Sequence, residues 1–301
     1  MRLQQETDHC KLAGMMGPIR SMLYVPGTRE DRFGKAMAAG ADAVVFDLED
    51  SVEAGQKENA RSLIADFLAA PSTGARRLVR FNDVHTSEGE ADLEFFSDRT
   101  GFDGVLLPKV ETVGLVELVA RVFARHAPGG IVPPLLLLIE TPTAVLRAGD
   151  IATADAPVAA LLFGAEDFTA RLGVERTTDG EELLYARGQI ALAAAAARAE
   201  AIDAVFTDLN DIEGLRRDCR RARGLGFHGK MAIHPKQIEI INEAFTPAAA
   251  EIARARRVVE AYDAARARGQ GVTTLDGRMV ELPVVERARR VLTLAAARTT
   301  H

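Results

Sequence analysis

Three observations predict a (β/α)8 barrel with a C-terminal helical and hairpin extension. Eight short apolar runs alternate with eight helical segments across residues 21–245, as in a parallel α/β architecture of barrel size. Most of these runs end abruptly in charged or polar residues, where folds of this kind bind ligands. No GxGxxG follows the first run, as the rival architecture, a dinucleotide-binding open sheet, would require.

Residues 21–25 (SMLYV) form the first strand, closed by Pro26-Gly27. Phe33, Ala36 and Met37 repeat at helical spacing within 29–39, and Gly40 ends that helix. The run 43–46 (AVVF) is a strand of the fully buried kind and leads into Asp47, Glu49 and Asp50. An amphipathic helix at 57–70 stops at Pro71. The strand at 78–81 contains Arg80 and ends at Asn82, and a helix follows at 85–97. Next come a strand at 104–107, ending at Pro108-Lys109, and a helix at 112–126. Residues 135–139 (LLLLI) end at Glu140, and Pro142 suits the first turn of a short helix. Residues 158–163 end at Gly164, ahead of Glu166 and Asp167. A long Ala-rich helix is predicted at 179–200, then a strand at 204–206 ending at Thr207-Asp208. A helix at 211–223, a strand at 228–233 ending at His234-Pro235 and a helix to Phe245 complete the barrel. Beyond it, 247–268 is an Ala- and Arg-rich helix, Asp276-Gly277 marks a hairpin turn, and 283–298 is a last helix. The division this suggests is a mobile tail at 1–18, a barrel with its flanking helix at 19–268, and a lid-like extension at 269–301.

With 301 residues, 48% hydrophobic and 27% charged, the chain has an ordinary globular composition. A net charge of −6 and the lack of a basic run with interleaved aromatics argue against a nucleic-acid partner. The two cysteines, Cys10 and Cys219, suggest neither a disulfide framework nor a zinc motif. The apolar run at 131–139 is too short to span a bilayer, and the N-terminus lacks the pattern of a signal peptide. A cytoplasmic protein without membrane contact is the expectation.

Placing the charged strand ends at one rim gives a candidate site: Arg29, Asp47, Glu49, Arg80, Asn82, Lys109, Glu140, Asp167, Asp208 and His234. Glu140 and Asp167 follow successive strands, so they meet at the rim. Two such oxygen donors suit a hard cation, and Mg²⁺ takes only one or two protein carboxylates. The same acids could instead cap or line the following helices. Asp47 and Glu49 are functional or part of a solvated loop, while Asp50-Ser51 resembles a helix cap. Arg80, between Val79 and Phe81, alternates into the barrel and is expensive to bury unpaired; it reads as a fork for a carboxylate. Lys109 is a Schiff-base lysine or, the preferred reading, an ion-pairing residue. His234 reads as a structural hydrogen-bonding residue rather than a base. Arg29 and Lys35 are solvated helix charges or anchors for a phosphate-bearing ligand. The set suits a metal-assisted reaction on an anionic substrate and does not suit a nucleophilic triad.

The stretches RSMLYVPGTREDRFGKA (20–36), AVVFDLEDSV (43–52), VRFN (79–82), GVLLPKVE (104–111), LLLIETP (136–142), FGAEDF (163–168) and MAIHPKQI (231–238) carry a further signal. Together they resemble the citrate lyase β-subunit-like branch of the HpcH/HpaI aldolase family, related to malyl-CoA and citramalyl-CoA lyases. The resemblance covers residues 20–298. It implies a (β/α)8-barrel enzyme, homotrimeric or hexameric, that makes or breaks C–C bonds beside a coenzyme A thioester with Mg²⁺. By position it implies Glu140 and Asp167 as metal ligands, Arg80 as the substrate-binding arginine, and Asp47 and Glu49 as acids near the metal's waters. Arg29, Lys35 and His234 fall where relatives hold coenzyme A, and Lys109 joins the substrate-binding set. Relatives carry a C-terminal aspartate that reaches over a neighbouring subunit's site. Here GRMVELP puts Glu281 at that position, one methylene longer, so Glu281 is the implied acid/base group and Glu49 the second candidate.

The implied reaction is cleavage of a 3-hydroxyacyl-CoA of malyl, citramalyl or citryl type to an acyl-CoA, such as acetyl-CoA, and a 2-oxo acid. Thioester hydrolysis is an added activity of the same site. The alternatives are a citrate lyase β subunit acting on a citryl-acyl carrier protein, a Schiff-base aldolase working through Lys109, and a non-catalytic coenzyme-A-binding subunit.

Overall fold

The computed structural model describes residues 16–71 and 74–296. Eight parallel strands close in sequence order: β1 (Ser21–Pro26), β2 (Ala43–Asp47), β3 (Arg76–Arg80), β4 (Gly104–Leu107), β5 (Leu135–Ile139), β6 (Val158–Phe163), β7 (Glu200–Asp203) and β8 (Gly229–Ala232). Strand β8 pairs back onto β1. Between and after them run α1 (Glu30–Met37), α2 (Lys57–Leu68), α3 (Ser87–Phe96), α4 (Val113–His126), α5 (Pro142–Ala152), α6 (Ala165–Leu172), α7 (Leu184–Ala197), α8 (Ile212–Leu225) and α9 (Ile238–Ala244). The fold is the (β/α)8 barrel that the alternating runs predict.

Side chains alternate along each strand, so every second residue enters the barrel. Met22, Val45, Leu78, Leu106, Leu136, Leu162 and Ile202 meet there in one buried cluster. Met16 belongs to the same cluster, which places residues 16–18 in the fold and not in the expected tail. The rest of that tail, with Cys10, lies outside the described residues.

The structure differs from expectation between residues 164 and 208. Helix α6 starts directly after β6, ahead of the Ala-rich helix and separate from it, with Glu166 and Asp167 in its first turn. The Ala-rich helix α7 is shorter than the pattern suggests, because Arg198 takes the left-handed conformation (φ 58°) that closes it. The seventh strand is therefore Glu200–Asp203 and not 204–206. Ala160, Leu161 and Leu162 of β6 pair with Glu200, Ala201 and Ile202, and this pairing overrides the helix propensity of the alanine run. Asp208 then falls in an exposed loop, where it accepts from the N–H of Asn210, and not at a strand end.

Between the barrel wall and its helices lies a fully buried ionic cluster that the sequence did not announce. Arg187 on α7 donates to Asp203 at 2.8 and 2.9 Å and to Asp218 on α8 at 2.8 Å. Lys230 on β8 donates to the same two carboxylates at 2.5 and 2.6 Å. Burial alone would raise the Asp218 pKa, but Lys230 and Arg187 hold it well below the usual range. Two buried cations thus balance two anions, with Arg176 3.9 Å from Asp218 at the edge, and removing a buried cation leaves this charge poorly compensated. Lys230→Ala is expected to lower stability by roughly 3–5 kcal/mol, read as a shift in denaturant midpoint; a shift under about 1 kcal/mol would refute this account.

The chain forms two compact units divided between Glu243 and Ala244. The second holds α10 (Ala249–Ala267), the hairpin β9 (Thr273–Leu275) and β10 (Arg278–Val280), and α11 (Leu282–Ala296). Ala255, Val258 and Tyr262 of α10 pack with Val280, Val285 and Ala288. Helix α10 therefore belongs with the extension, and the expected boundary at 268/269 moves to 243/244. Asp276 (φ 51°) and Gly277 (φ 72°) make the predicted tight turn. Glu281 follows β10 half-buried, and its carbonyl accepts from the N–H groups of Val284 and Val285 at the start of α11. No helix among the described residues is long and apolar enough to cross a membrane.

Candidate active site

The ends of β2 and β3 lie side by side, with Asp47 in register with Arg80. Arg80 is 8% exposed and inward-facing, as its alternation predicts. Its Nε and Nη2 donate to Asp47 at 2.6 and 2.7 Å, a bidentate fork. Its guanidinium carbon stands 5.2 Å from the ring centre of Tyr24. Asp47 also accepts from the N–H of Glu49 at 2.9 Å and from the Ser51 hydroxyl. Burial would raise its pKa, but Arg80 overcomes this and holds it below the usual carboxylate value. The fork expected to take a ligand carboxylate is thus filled by Asp47, and only the Nη1 side of Arg80 faces onward. Ser51 holds Asp47 instead of capping a helix.

That side meets Glu49. One Glu49 oxygen is 2.8 Å from Arg80 Nη1 and the other 2.9 Å from Lys109 Nζ. Both oxygens are buried, and neither contact has hydrogen-bond geometry. Burial raises the Glu49 pKa against the pull of Arg80 and Lys109. Lys109 has the left-handed backbone (φ 52°) that a non-glycine residue rarely adopts. This conformation aims its N–H at Glu140 Oε1, 2.7 Å away. Although partial burial opposes it, Glu49 raises the Lys109 pKa, so the amine is held protonated as an ion-pairing residue.

Glu140 ends β5 and is 2% exposed. Thr141, and not Glu140, caps α5. Asp167 sits in the first turn of α6 and comes within hydrogen-bonding reach of Glu140. Burial, then Glu49, then Asp167 push the Glu140 pKa up to about 9. Gly164 makes this approach possible. A Cβ there would lie 2.4 Å from Glu140 Cβ and 2.8 Å from its Oε2. Gly164→Ala is therefore expected to displace the Glu140 carboxylate and weaken divalent-cation binding at least tenfold (about 1.4 kcal/mol); Mn²⁺ titration of the purified variant checks it.

The arrangement fits a hard divalent cation. Two adjoining carboxyl groups repel when ionised, and a cation between them relieves that repulsion. The buried Glu49 oxygens, short of hydrogen bonds, would accept from bound water. Mg²⁺ takes only one or two protein carboxylates and keeps several waters, so two carboxyl groups are enough for it.

The remaining candidates lie elsewhere. Arg29 is half-buried at the start of α1 and pairs with Asp31 at 2.8 Å. Lys35 is exposed on the same helix. His234 follows β8, and its Nδ1 accepts from the N–H of Lys236 at 3.1 Å, the structural role its sequence context predicts. Because β8 neighbours β1, these three follow adjacent strands of the barrel. Asn82 turns away from the carboxylates and donates to Asp92 at 2.7 Å through both its backbone and side-chain N–H groups. Lys57, unsuspected from sequence, donates to the carbonyls of Leu48 and Glu49.

A model of the HpcH/HpaI aldolase/citrate lyase family matches residues 20–235. The chain belongs to this family. The citrate lyase subunit beta of Leuconostoc mesenteroides subsp. cremoris is 39% identical over 286 residues, 92% of this chain and 93% of that protein. The (3S)-malyl-CoA thioesterase of Cereibacter sphaeroides (strain ATCC 17029 / ATH 2.4.9) is 38% identical over 289 residues, 95% of this chain and 98% of that protein. Among solved structures, CitE from Mycobacterium tuberculosis in complex with magnesium, acetoacetate and coenzyme A superposes with a TM-score of 0.77. It is 35% identical, with 93% of this chain and 99% of that chain covered. The protein is thus an enzyme of a lyase family, with relatives named for citrate and for malyl-CoA.

Proposed function

We propose that this enzyme cleaves a 3-hydroxyacyl-CoA of malyl, citramalyl or citryl type into an acyl-CoA and a 2-oxo acid, with Mg²⁺ held by Glu140 and Asp167. The observation that carries the reading is the buried Glu140 brought against Asp167, beside the Glu49–Arg80–Lys109 cluster. A magnesium ion there supplies a Lewis acid and a template for the substrate's oxygens. The Nη1 side of Arg80 and the Lys109 ammonium hold the substrate carboxylate and steady charge on the reacting oxygen. Glu281 of a neighbouring chain, or else Glu49, takes the hydroxyl proton. The C–C bond then breaks, its electron pair passes to the carbon beside the thioester, and the resulting enolate takes up a proton to give the acyl-CoA. Arg29, Lys35 and His234, after adjacent strands, hold the coenzyme A portion. A homotrimer or hexamer, which supplies the neighbouring Glu281, and a cytoplasmic location belong to the same reading.

The malyl-CoA thioesterase relative supports hydrolysis of the thioester as an added activity. The citrate lyase relative supports a second reading, a subunit that acts on a citryl group carried by an acyl carrier protein. A Schiff base through Lys109 lacks support, since that amine is held protonated against Glu49.

One assay separates these. Purified protein is given malyl-, citramalyl- and citryl-CoA with Mg²⁺ or EDTA, while 2-oxo acid and free thiol are followed separately. Release of 2-oxo acid that EDTA stops and Mg²⁺ restores is the expected result. Thiol without 2-oxo acid would make the protein a thioesterase alone. EDTA resistance with borohydride trapping would revive the Lys109 reading. Glu281→Ala is expected to slow C–C cleavage about 10²-fold through loss of a positioned acid/base group; a full rate would withdraw the lid role.

A further inference from the structure

We infer that Lys57 is a positioning residue that sets the aim of Glu49. The inference rests on the reading above, in which Glu49 faces the substrate. Lysine is out of place where it stands. It opens α2, where the helix dipole disfavours a cation. A residue that works against local preference points to a role elsewhere.

Its contacts show that role. Lys57 Nζ donates to the carbonyl of Leu48 at 2.9 Å, the carbonyl of Glu49 at 3.0 Å and Asn82 Oδ1 at 2.5 Å. All three acceptors are neutral oxygens, so the ammonium uses its three donors as a tripod. Asn82 is itself fixed by two bonds to the buried Asp92, which Arg61 holds at 2.7 Å. The tripod therefore stands on a buried network. On the other side of the same turn, Asp47 holds the N–H groups of Glu49 and Ser51. Asp47 thus fixes the donors of this turn and Lys57 its carbonyls. Between them the Glu49 backbone is held from both directions, and its carboxylate is aimed at Arg80 and Lys109. Misplacing a reacting group by about 1 Å can cost ~10²-fold in rate.

The test uses Lys57→Ala. With (3S)-malyl-CoA and Mg²⁺, kcat is expected to fall about 10–100-fold with little change in KM. Propylammonium replaces the deleted stem and ammonium, so it should restore part of kcat. Tetramethylammonium at equal ionic strength cannot donate and should restore nothing. Wild-type kcat in the variant, or equal rescue by both cations, would overturn the inference. Should Lys57→Ala fold poorly, Lys57→Met, which keeps the apolar stem, replaces it in the kinetic comparison. Amide hydrogen exchange at Glu49 and Ser51 needs no substrate and should quicken in either variant; unchanged exchange overturns the positioning role. Wild-type inactivity on every thioester would instead defeat the functional reading, while the exchange result would still judge Lys57.

Discussion

Glu140→Gln is expected to abolish detectable Mn²⁺ binding and to cut Mg²⁺-dependent turnover by roughly 10²–10³-fold, matching the several kcal/mol a metal Lewis acid supplies. The same change should stabilise the metal-free protein. The Glu140 carboxyl titrates at about 9 in the folded state, against an ordinary 4.5. The folded chain therefore binds more protons than the unfolded chain between those values, and stability falls as pH rises through that window. A neutral glutamine removes the penalty. The metal-free variant should melt above wild type at pH 8 and near it at pH 4. Adding Mg²⁺ should raise the melting temperature of wild type but leave the variant unmoved, because only a folded state that binds the ion gains from it. Equal melting of the two metal-free proteins at pH 8 would refute the burial of a strained acid here. Function and stability pull in opposite directions at this residue, as expected where an acid is kept for a ligand.

The barrel was legible because its information is local. Leu135–Ile139 and Val158–Phe163 are apolar runs bounded by turn residues, and each is a strand as read. The acids beyond them follow from the same reading, since a parallel barrel collects its strand ends at one rim. The errors came where local preference and pairing disagree. The alanine run before Arg198 favours helix throughout, and only the pairing of β7 with β6 reveals where the strand begins. The partner of Arg80 was equally hidden. Asp47 and Glu49 are equally good partners in sequence terms, and the register of β2 with β3 selects Asp47 for the fork. Gly164 did carry a usable signal: a glycine wedged between an apolar strand and two acids marks a close approach. Lys57 carried none beyond its oddity at a helix start, because its acceptors include backbone carbonyls that no sequence pattern displays. The sequence of helix α10 does not show which unit its apolar face joins; that face packs with the hairpin and α11.

Arg80 joins these levels, and its replacement should lower both stability and turnover. Arg80→Ala leaves the buried Asp47 without its fork and Glu49 with Lys109 alone. Breaking a buried pair from one side costs roughly 3–5 kcal/mol. The loss should depend on pH in a defined direction. In the wild type, the Asp47 pKa lies below its ordinary 3.8, so its contribution is present above that value and fades as pH falls through the folded pKa. Without Arg80, burial is opposed only by the hydrogen bonds from Ser51 and the Glu49 N–H, and the Asp47 pKa rises. The variant then becomes relatively less unstable as acid neutralises Asp47. The stability gap between the two proteins should therefore narrow on going from pH 7 to pH 4, as read by urea midpoints. Arg80→Lys separates charge from geometry. An ammonium restores the countercharge but cannot fork onto Asp47 while reaching Glu49. It should recover much of the stability while turnover stays about 10²-fold down, because misaimed groups, and not missing charge, then limit the reaction. A lysine variant with both stability and rate restored would mean that the fork is dispensable, and that Arg80 acts at the rim as a point charge.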